Sequence, residues 1–159
     1  MTYSIDTSAI LDGWVRHYPP DVFPSLWTKI EGLVDEGLVD NGTLVATEEV
    51  LLELGRRDDQ VHRWALKQRR MFRPLDERIQ VAVAEVLSQH PRLVGARANR
   101  SGADAFVIAL AVVNRCAVIT GESATNTTSR PNIPDVCAAL GIRCINLLQL
   151  IREQHWVFA

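Results

Sequence analysis

Residues 101–122 of the chain, SGADAFVIALAVVNRCAVITGE, predict a helix that passes through a very short turn into a strand. The helix covers residues 103–114 and the strand covers residues 117–120. A helix of this length spans about 18 Å, and a strand of four to five residues spans about 13 to 17 Å. The helix can therefore lie back along the strand. This arrangement brings Asp104 beside Glu122, at the edge where open α/β sheets bind ligands.

The composition is ordinary for a globular protein. The chain has 159 residues, of which 47% are hydrophobic and 23% are charged, and its net charge is −2. This length favours one domain over residues 1–159, with helical insertions at about 12–42 and 56–90. We expect no signal peptide, and the apolar runs are too short to span a bilayer, so we predict a cytoplasmic protein with no membrane partner.

The cysteines and histidines do not form the spacings typical of metal or redox motifs. Cys116, Cys137 and Cys144 lack C-x-x-C spacing, and the four histidines are scattered along the chain. We expect the cysteines to be buried thiols in a reducing compartment, and we expect no zinc site.

Short strands separated by helices organise the rest of the chain. The predicted strands cover residues 3–5, 43–46, 117–120 and 142–145. The predicted helices cover residues 6–11, 47–54, 58–71, 77–89, 103–114, 133–140 and 147–153, with one more from Leu26 to a stop at Gly37. This alternation predicts an α/β protein of three layers, α/β/α, with a short central parallel sheet and helices on both faces.

Glu53 is an acid that local helix chemistry does not explain. Thr47 is predicted to cap the helix over residues 47–54, which Gly55 ends, so Glu53 lies near the helix C-terminus. The helix dipole opposes a negative charge there. Glu49 lies four residues earlier on the same face, but acids are favoured in a first turn. The position of Glu53 therefore calls for an explanation other than helix stability, such as a functional role for its carboxylate. Glu49 is an alternative candidate for that role.

The predicted sheet brings acids to one edge. Asp6 follows the first strand, where a plain helix N-cap would also explain it, and Glu122 follows the third. Together with Glu53 and Asp104 they make four carboxylates, which repel one another unless a cation lies among them. Oxygen ligands favour Mg²⁺ or Mn²⁺ over zinc. Such an ion binds phosphate oxygens and activates water, which predicts phosphodiester hydrolysis.

These residues also carry a resemblance to a known family, the PIN-domain nucleases. The matching motifs are YSIDTS from residue 3, VLLEL from residue 50, GADAF from residue 102 and VITGE from residue 118. The resemblance implies that Asp6, Glu53, Asp104 and Glu122 bind Mg²⁺ or Mn²⁺ and that the substrate is RNA. It also implies that Ser8, two residues after the first acid, assists catalysis.

Two further segments narrow the resemblance. YPPDVF from residue 18 and IPDVC from residue 133 are similar to one PIN-like subfamily of the VapC class of toxins. Its members are commonly encoded beside an antitoxin with a helix-turn-helix and a metallopeptidase-like domain. The resemblance therefore implies an endoribonuclease toxin with a cognate antitoxin and a homodimeric state. Many relatives carry Asp where this chain has Glu122. We expect Asp135 to be a helix-dipole partner rather than a ligand.

Charge is distributed unevenly along the chain. Residues 1–55 carry ten acids and two bases, whereas residues 56–100 carry eleven bases and five acids. This asymmetry predicts an acidic site beside a basic surface. We expect Arg97 and Arg100, which precede Asp104, to lie closest to the scissile phosphate. The predicted flanking RNA contacts are Arg69, Arg70 and Arg73. Alternatively, these arginines pair with neighbouring acids or face an antitoxin.

Other classes of protein remain as alternatives. A receiver domain or a haloacid-dehalogenase-type hydrolase needs further acids beside the first strand, and residues 5–8, IDTS, lack them. No glycine-rich phosphate loop follows a predicted strand, which disfavours a nucleotide-binding module. The remaining alternatives are a catalytically inactive PIN-like binding or scaffold protein and another metal-dependent phosphohydrolase.

Overall fold

The computed structural model of the protein describes residues 2–35, 43–57, 59–94 and 102–159, and it has the predicted α/β architecture. Five parallel strands form one sheet, with helices packed on its faces in three layers. The strands are β1 (Tyr3–Ile5), β2 (Leu44–Thr47), β3 (Phe72–Arg73), β4 (Ala117–Ile119) and β5 (Cys144–Ile145). Their order across the sheet is β3-β2-β1-β4-β5, so β1 is central.

Eight α-helices lie within the described ranges. They are α1 (Thr7–Leu11), α2 (Pro24–Asp35), α3 (Glu48–Arg57), α4 (Asp59–Lys67), α5 (Glu77–Gln89), α6 (Ala103–Asn114), α7 (Ile133–Leu140) and α8 (Leu147–Glu153). The last four begin and end where the sequence predicted. A π-helical turn, Asp12–His17, extends α1 and was not predicted. None of the described helices is long and apolar enough to cross a membrane.

Helix α6 fixes the position of the sheet edge that matters for function. It is apolar almost all round, and it packs against β1, β2, β4, α3 and α5. The Ser4 hydroxyl, in the middle of β1, donates a hydrogen bond of 2.9 Å to the carbonyl of Val107. Arg115 then reverses the chain with a φ of 51° before β4 begins. The N-terminal turn of α6, which carries Asp104, therefore lies toward the carboxyl ends of the strands.

The predicted helix over residues 58–71 is wrong in its second half. Helix α4 ends at Lys67, a 3₁₀ turn covers Arg69–Met71, and the chain then forms β3. Strand β3 pairs with the end of β2, with Thr47 opposite Arg73. Pro74 favours an extended conformation at the residue before it, which ends any helix there. The segment 56–90 is therefore more than a helical insertion, because it also contains β3, a strand that the sequence did not predict.

Helix α3 also differs from its predicted bounds. It continues through Gly55 to Arg57, so Gly55 does not end it. Thr47 belongs to β2, and its hydroxyl is buried without a hydrogen-bond partner in the described part of the chain, so it does not cap the helix. Glu53 consequently lies a full turn before the helix end. Since dipole effects fall off within the last turn, the dipole argument for Glu53 is wrong.

The cysteines are all free thiols, as predicted, but the expectation that all three are buried is wrong. Cys137 is buried, whereas Cys116 and Cys144 are half-buried. Burial raises the pKa of Cys116 to about 11, against a backbone hydrogen bond to Ser4 that lowers it. Cys116 is therefore a protonated packing group at neutral pH.

Asp135 organises the loop that leads into α7. Its carboxylate accepts backbone N–H hydrogen bonds from Thr125 at 2.9 Å, Asn126 at 2.8 Å and Asn132 at 2.8 Å. Asp135 also completes a capping box with Asn132 at the start of α7, the structural role that the sequence predicted. Burial acts to raise the pKa of Asp135, but these hydrogen bonds outweigh it and hold the pKa at about 2.

The depressed pKa of Asp135 predicts a pH-dependent contribution to stability. A carboxylate with a lowered folded-state pKa stabilises the fold above its ordinary pKa of 3.8, and this contribution is lost as the pH falls toward about 2. We expect Asp135→Asn to lower the free energy of unfolding at neutral pH. The difference from wild type should shrink as the pH falls from about 5 to about 2. Denaturant unfolding across this range measures it.

Asp21→Asn, which neutralises an exposed acid, is the control for that series. It should leave stability close to wild type at every pH. A destabilisation by Asp135→Asn that does not change with pH would contradict the assigned role of the charge.

Candidate functional site

Asp6 lies at the carboxyl end of the central strand and is only 2% exposed. Its Oδ2 atom accepts hydrogen bonds from the Ser8 hydroxyl, from the Thr120 hydroxyl at 3.1 Å and from the Ser8 backbone N–H at 3.3 Å. The last of these makes Asp6 the N-cap of α1. Capping and the hydroxyl contacts together hold the carboxylate in one orientation.

The hydroxyls extend this network to the end of β4. The Ser8 hydroxyl oxygen accepts the backbone N–H of Gly121 at 2.9 Å, and the Thr120 hydroxyl oxygen accepts that of Glu122 at 3.1 Å. Asp6 and Glu122 are thus linked through one threonine. Sequence reasoning missed Thr120, although a hydroxyl in the last position of a predicted strand was the signal that could have revealed it.

Gly121 permits the close packing of this network. A Cβ atom there would lie 2.3 Å from Oδ2 of Asp12 and 3.0 Å from the carbonyl oxygen of Ser8. Any side chain at this position would therefore displace Asp12 or the α1 backbone. Asp12 was not among the predicted site residues, because it lies in the unpredicted π-helical turn.

Burial dominates the electrostatics of Asp6. Desolvation raises its pKa, against the hydrogen bonds of Ser8 and Thr120, which lower it. An ionised carboxylate in such surroundings is costly unless a positive charge compensates it. Burial therefore favours the neutral form of Asp6 unless a positive charge lies beside it.

Glu122 is held at the start of α7. Its Oε2 atom accepts the backbone N–H of Ile133 at 2.9 Å. A hydrogen bond from Cys137 lowers the pKa of Cys144, while burial and the negative charges of Asp6 and Glu122 oppose that shift. The Thr120 hydroxyl, which contacts both Asp6 and the backbone of Glu122, places the two residues at the same part of the sheet edge.

Asp104 and Glu53 are carried by two helices, α6 and α3. Asp104 lies in the first turn of α6 and is 7% exposed. Glu53 is half-buried on α3, and its Oε1 atom is buried. Helix α3 packs against both α1 and α6. The structure thus joins Asp6, Ser8 and Glu122 through hydrogen bonds and places the two other acids on neighbouring helices.

The donor atoms at this edge of the sheet determine whether it can hold a metal ion. Among the residues that the structure describes, no three His, Cys, Asp or Glu side chains form a ready-made metal site. The four-carboxylate cage therefore stays a prediction. Mg²⁺ is, however, commonly held by one or two carboxylates together with waters and substrate phosphates. The all-oxygen donors around buried Asp6 fit an ion of that kind.

The predicted RNA contacts are distributed differently. Arg97 and Arg100 lie outside the described residues. Arg69 and Arg70 belong to the exposed 3₁₀ turn before β3. The predicted flanking contacts therefore precede the strand rather than follow it.

Arg70 lies toward the amino ends of the strands, whereas Arg73 ends β3 opposite Thr47, the last residue of β2. Arg70 approaches Asp35 at 3.5 Å, with both side chains more than 60% exposed, and Asp35 ends α2 just before β2. Arg73 lines a cavity of about 380 Å³ together with Thr2 and Asn114. Asn114 is at the opposite end of α6 from Asp104. Of the predicted flanking contacts, Arg70 therefore lies away from the carboxyl edge, while Arg73 lies level with the last residue of β2.

Comparison with known proteins identifies a family but no function. No curated protein matches the chain. A family model described as a domain of unknown function (DUF4411) matches residues 3–158, a span that includes all five strands and every carboxylate of the site. The chain therefore belongs to the DUF4411 family.

Proposed function

We propose that the protein is a metal-dependent endoribonuclease that hydrolyses RNA phosphodiester bonds at the sheet edge around Asp6. The observation that supports this most is a buried carboxylate, held by Ser8 and Thr120 hydroxyls at the carboxyl end of the central strand. Ligand sites in open α/β sheets lie at this edge. The resemblance of the motifs to PIN-domain nucleases supplies the reaction class, and the VapC-like segments favour the toxin of a toxin–antitoxin pair.

Mg²⁺ or Mn²⁺ would be held by Asp6, with Glu53, Asp104 and Glu122 as its other carboxylate partners. When bound, such an ion would neutralise phosphate charge and lower the pKa of the water molecule bound to it. It would also offset the cost of ionised Asp6 in a buried position. Carboxylate oxygens are the hard donors that these ions prefer.

Ser8 acts in this proposal as a positioning residue. Its hydroxyl donates to Asp6 and its oxygen accepts the N–H of Gly121, so both sides of the hydroxyl are engaged. A serine nucleophile would instead be activated by an adjacent base and aimed at the substrate. Ser8 and Thr120 together fix the rotamer of Asp6, and the start of α7 fixes Glu122.

An inactive PIN-like scaffold is the second candidate. The finding that favours it is the lack of a ready-made group of three metal ligands in the described ranges. Such a protein would bind its partner, for example an antitoxin, without cutting RNA. Incubation of the purified protein with labelled RNA, with Mn²⁺ in one arm and EDTA in the other, separates the two functions. The scaffold predicts intact RNA in both.

The first prediction from this proposal concerns Asp104. Asp104→Asn keeps the shape of the side chain but removes its charge, so we expect it to abolish Mn²⁺-dependent cleavage of labelled RNA. Ser8→Ala should lower the rate by about 10- to 100-fold, since hydrogen-bond partners of metal ligands contribute about that much. Asp21→Asn, at an exposed acid, is the matched control and should cleave normally. An Asp104→Asn protein that cuts at the wild-type rate would refute the assignment.

The second prediction concerns the RNA path. Arg97 and Arg100 precede Asp104 in the sequence, so we expect them to contact phosphates beside the site. For single strands, each lost phosphate contact flattens the plot of log affinity against log salt by roughly 0.7. Replacing both arginines by Ala in the Asp104→Asn background should therefore flatten the slope by about one to two units. RNA affinity measured at several salt concentrations tests this.

The paired control is Arg69→Ala with Arg70→Ala, which removes the same charge from the exposed 3₁₀ turn before β3. We expect its slope to change less than that of the first pair. Equal flattening by the two pairs would mean that net charge, rather than local phosphate contact, sets the affinity.

A further inference from the structure

A second cavity adjoins the carboxylate network on the β4–β5 side of the sheet edge. Its volume is about 280 Å³, and its polar and aromatic lining comes from Asp12, His17, Tyr18 and Asn146. Gly121 belongs both to this lining and to the network, because its N–H donates to the Ser8 hydroxyl. A group bound in the cavity would therefore lie next to the proposed reaction site.

Asp12 presents a carboxylate at the mouth of this cavity. Its Oδ1 atom approaches Arg16 at 3.6 Å, and the Asp12 side chain is 29% exposed. Its Oδ2 atom lies against Gly121, only 2.3 Å from where a Cβ atom would be. The two oxygens thus have different surroundings, since Oδ1 lies beside the exposed Arg16 and Oδ2 lies beside Gly121, which also lines the cavity. A negative group at this point disfavours a phosphate and favours a ligand with hydrogen-bond donors.

Asn146 supplies a hydrogen-bond donor to the cavity, which complements the acceptor oxygens of Asp12. It follows β5 and caps α8, where its Oδ1 atom accepts the backbone N–H of Gln149 at 2.9 Å. Since the oxygen is committed to the helix, the amide NH₂ is the group that Asn146 offers to a ligand. The cavity therefore combines an acceptor of hydrogen bonds with a donor.

Two aromatic rings complete the lining. The rings of His17 and Tyr18 have centroids 6.2 Å apart, and Tyr18 also packs edge-on against Phe23 at 5.5 Å. His17 is exposed, whereas Tyr18 is half-buried and held in place. Rings of this kind are the surfaces on which unpaired RNA bases stack.

We propose that this cavity binds a guanine base of the RNA substrate, an inference that rests on the proposed nuclease function. Guanine presents two adjacent donors, N1–H and N2–H₂, to which a carboxylate such as Asp12 can accept in a bidentate manner. Its O6 atom suits a donor such as the NH₂ group of Asn146. Adenine, cytosine and uracil do not present two adjacent donors on that edge. The volume is at the lower end for ligand pockets, of roughly 300 Å³ or more, which suits one base.

Binding of free nucleotides tests the proposal without requiring cleavage. Isothermal titration of the full-length wild-type protein in EDTA would compare guanosine, adenosine, cytidine and uridine 5′-monophosphates. We expect the guanine nucleotide to bind at least about tenfold more tightly, as for one good bidentate contact to a base. Asp12→Asn replaces an acceptor by a donor and should abolish this preference. Asp21→Asn, an exposed acid in the same region, should retain it.

A second variant covers the case in which Asp12→Asn fails to fold. His17→Ala removes an exposed ring and should weaken all four nucleotides by a similar factor, since stacking does not distinguish bases by hydrogen bonds. Circular dichroism of each variant checks the fold. Equal affinities of wild type for the four nucleotides, no detectable binding of the guanine nucleotide, or a guanine preference retained by Asp12→Asn would overturn the proposal.

The experiments distinguish failure of the guanine-binding proposal from failure of the nuclease proposal. A protein that prefers the guanine nucleotide but leaves RNA intact with Mn²⁺ keeps the pocket and refutes the nuclease. A protein that cuts RNA without regard to guanine near the cleavage point, and binds the four nucleotides equally, keeps the nuclease and refutes the pocket.

Discussion

The buried carboxylate of Asp6 is the interaction on which the site depends. A charge that is 2% exposed at the end of the central strand is unfavourable in a protein interior unless it is compensated. The Ser8 and Thr120 hydroxyls satisfy part of this requirement, and each ties Asp6 to the chain after β4. Because the hydroxyls are neutral, burial still raises the pKa of Asp6. A neighbouring cation would remove the remaining cost, which is why the metal proposal centres on this residue.

The fold delivers this arrangement through a buried helix. Helix α6 lies against the central strands, and a hydrogen bond from Ser4 fixes its height along β1. Its first turn then carries Asp104 to the carboxyl edge, where β1 and β4 end beside each other in parallel register. Gly121 allows the loop after β4 to close onto α1. The same glycine separates the carboxylate network from the neighbouring cavity, so one short loop serves both parts of the site.

Much of the fold followed from periodicity, and the misses have physical reasons. The buried helix α6 and the capped helices α5, α7 and α8 carry strong signals, and their bounds were predicted correctly. Strand β3 has only two residues, which is too short for an alternating pattern to reveal. Asp6 and Ser8 were found because a strand delivers them. Thr120 and Asp12 were missed because their roles arise from contacts across more than 100 residues and from a π-helical turn.

Direct measurement of Mn²⁺ binding tests the central claim that Asp6 is the anchor of a cation site. Electron paramagnetic resonance reports the free ion, so a titration of the purified protein gives the number of ions bound. We predict that the wild-type chain removes about one to two equivalents of Mn²⁺ from solution. The variant Asp6→Asn, which keeps an acceptor oxygen for Ser8 and Thr120, should lose that binding. Wild-type protein that leaves the free Mn²⁺ signal unchanged, or an Asp6→Asn protein that binds as many ions with equal affinity, would contradict the account.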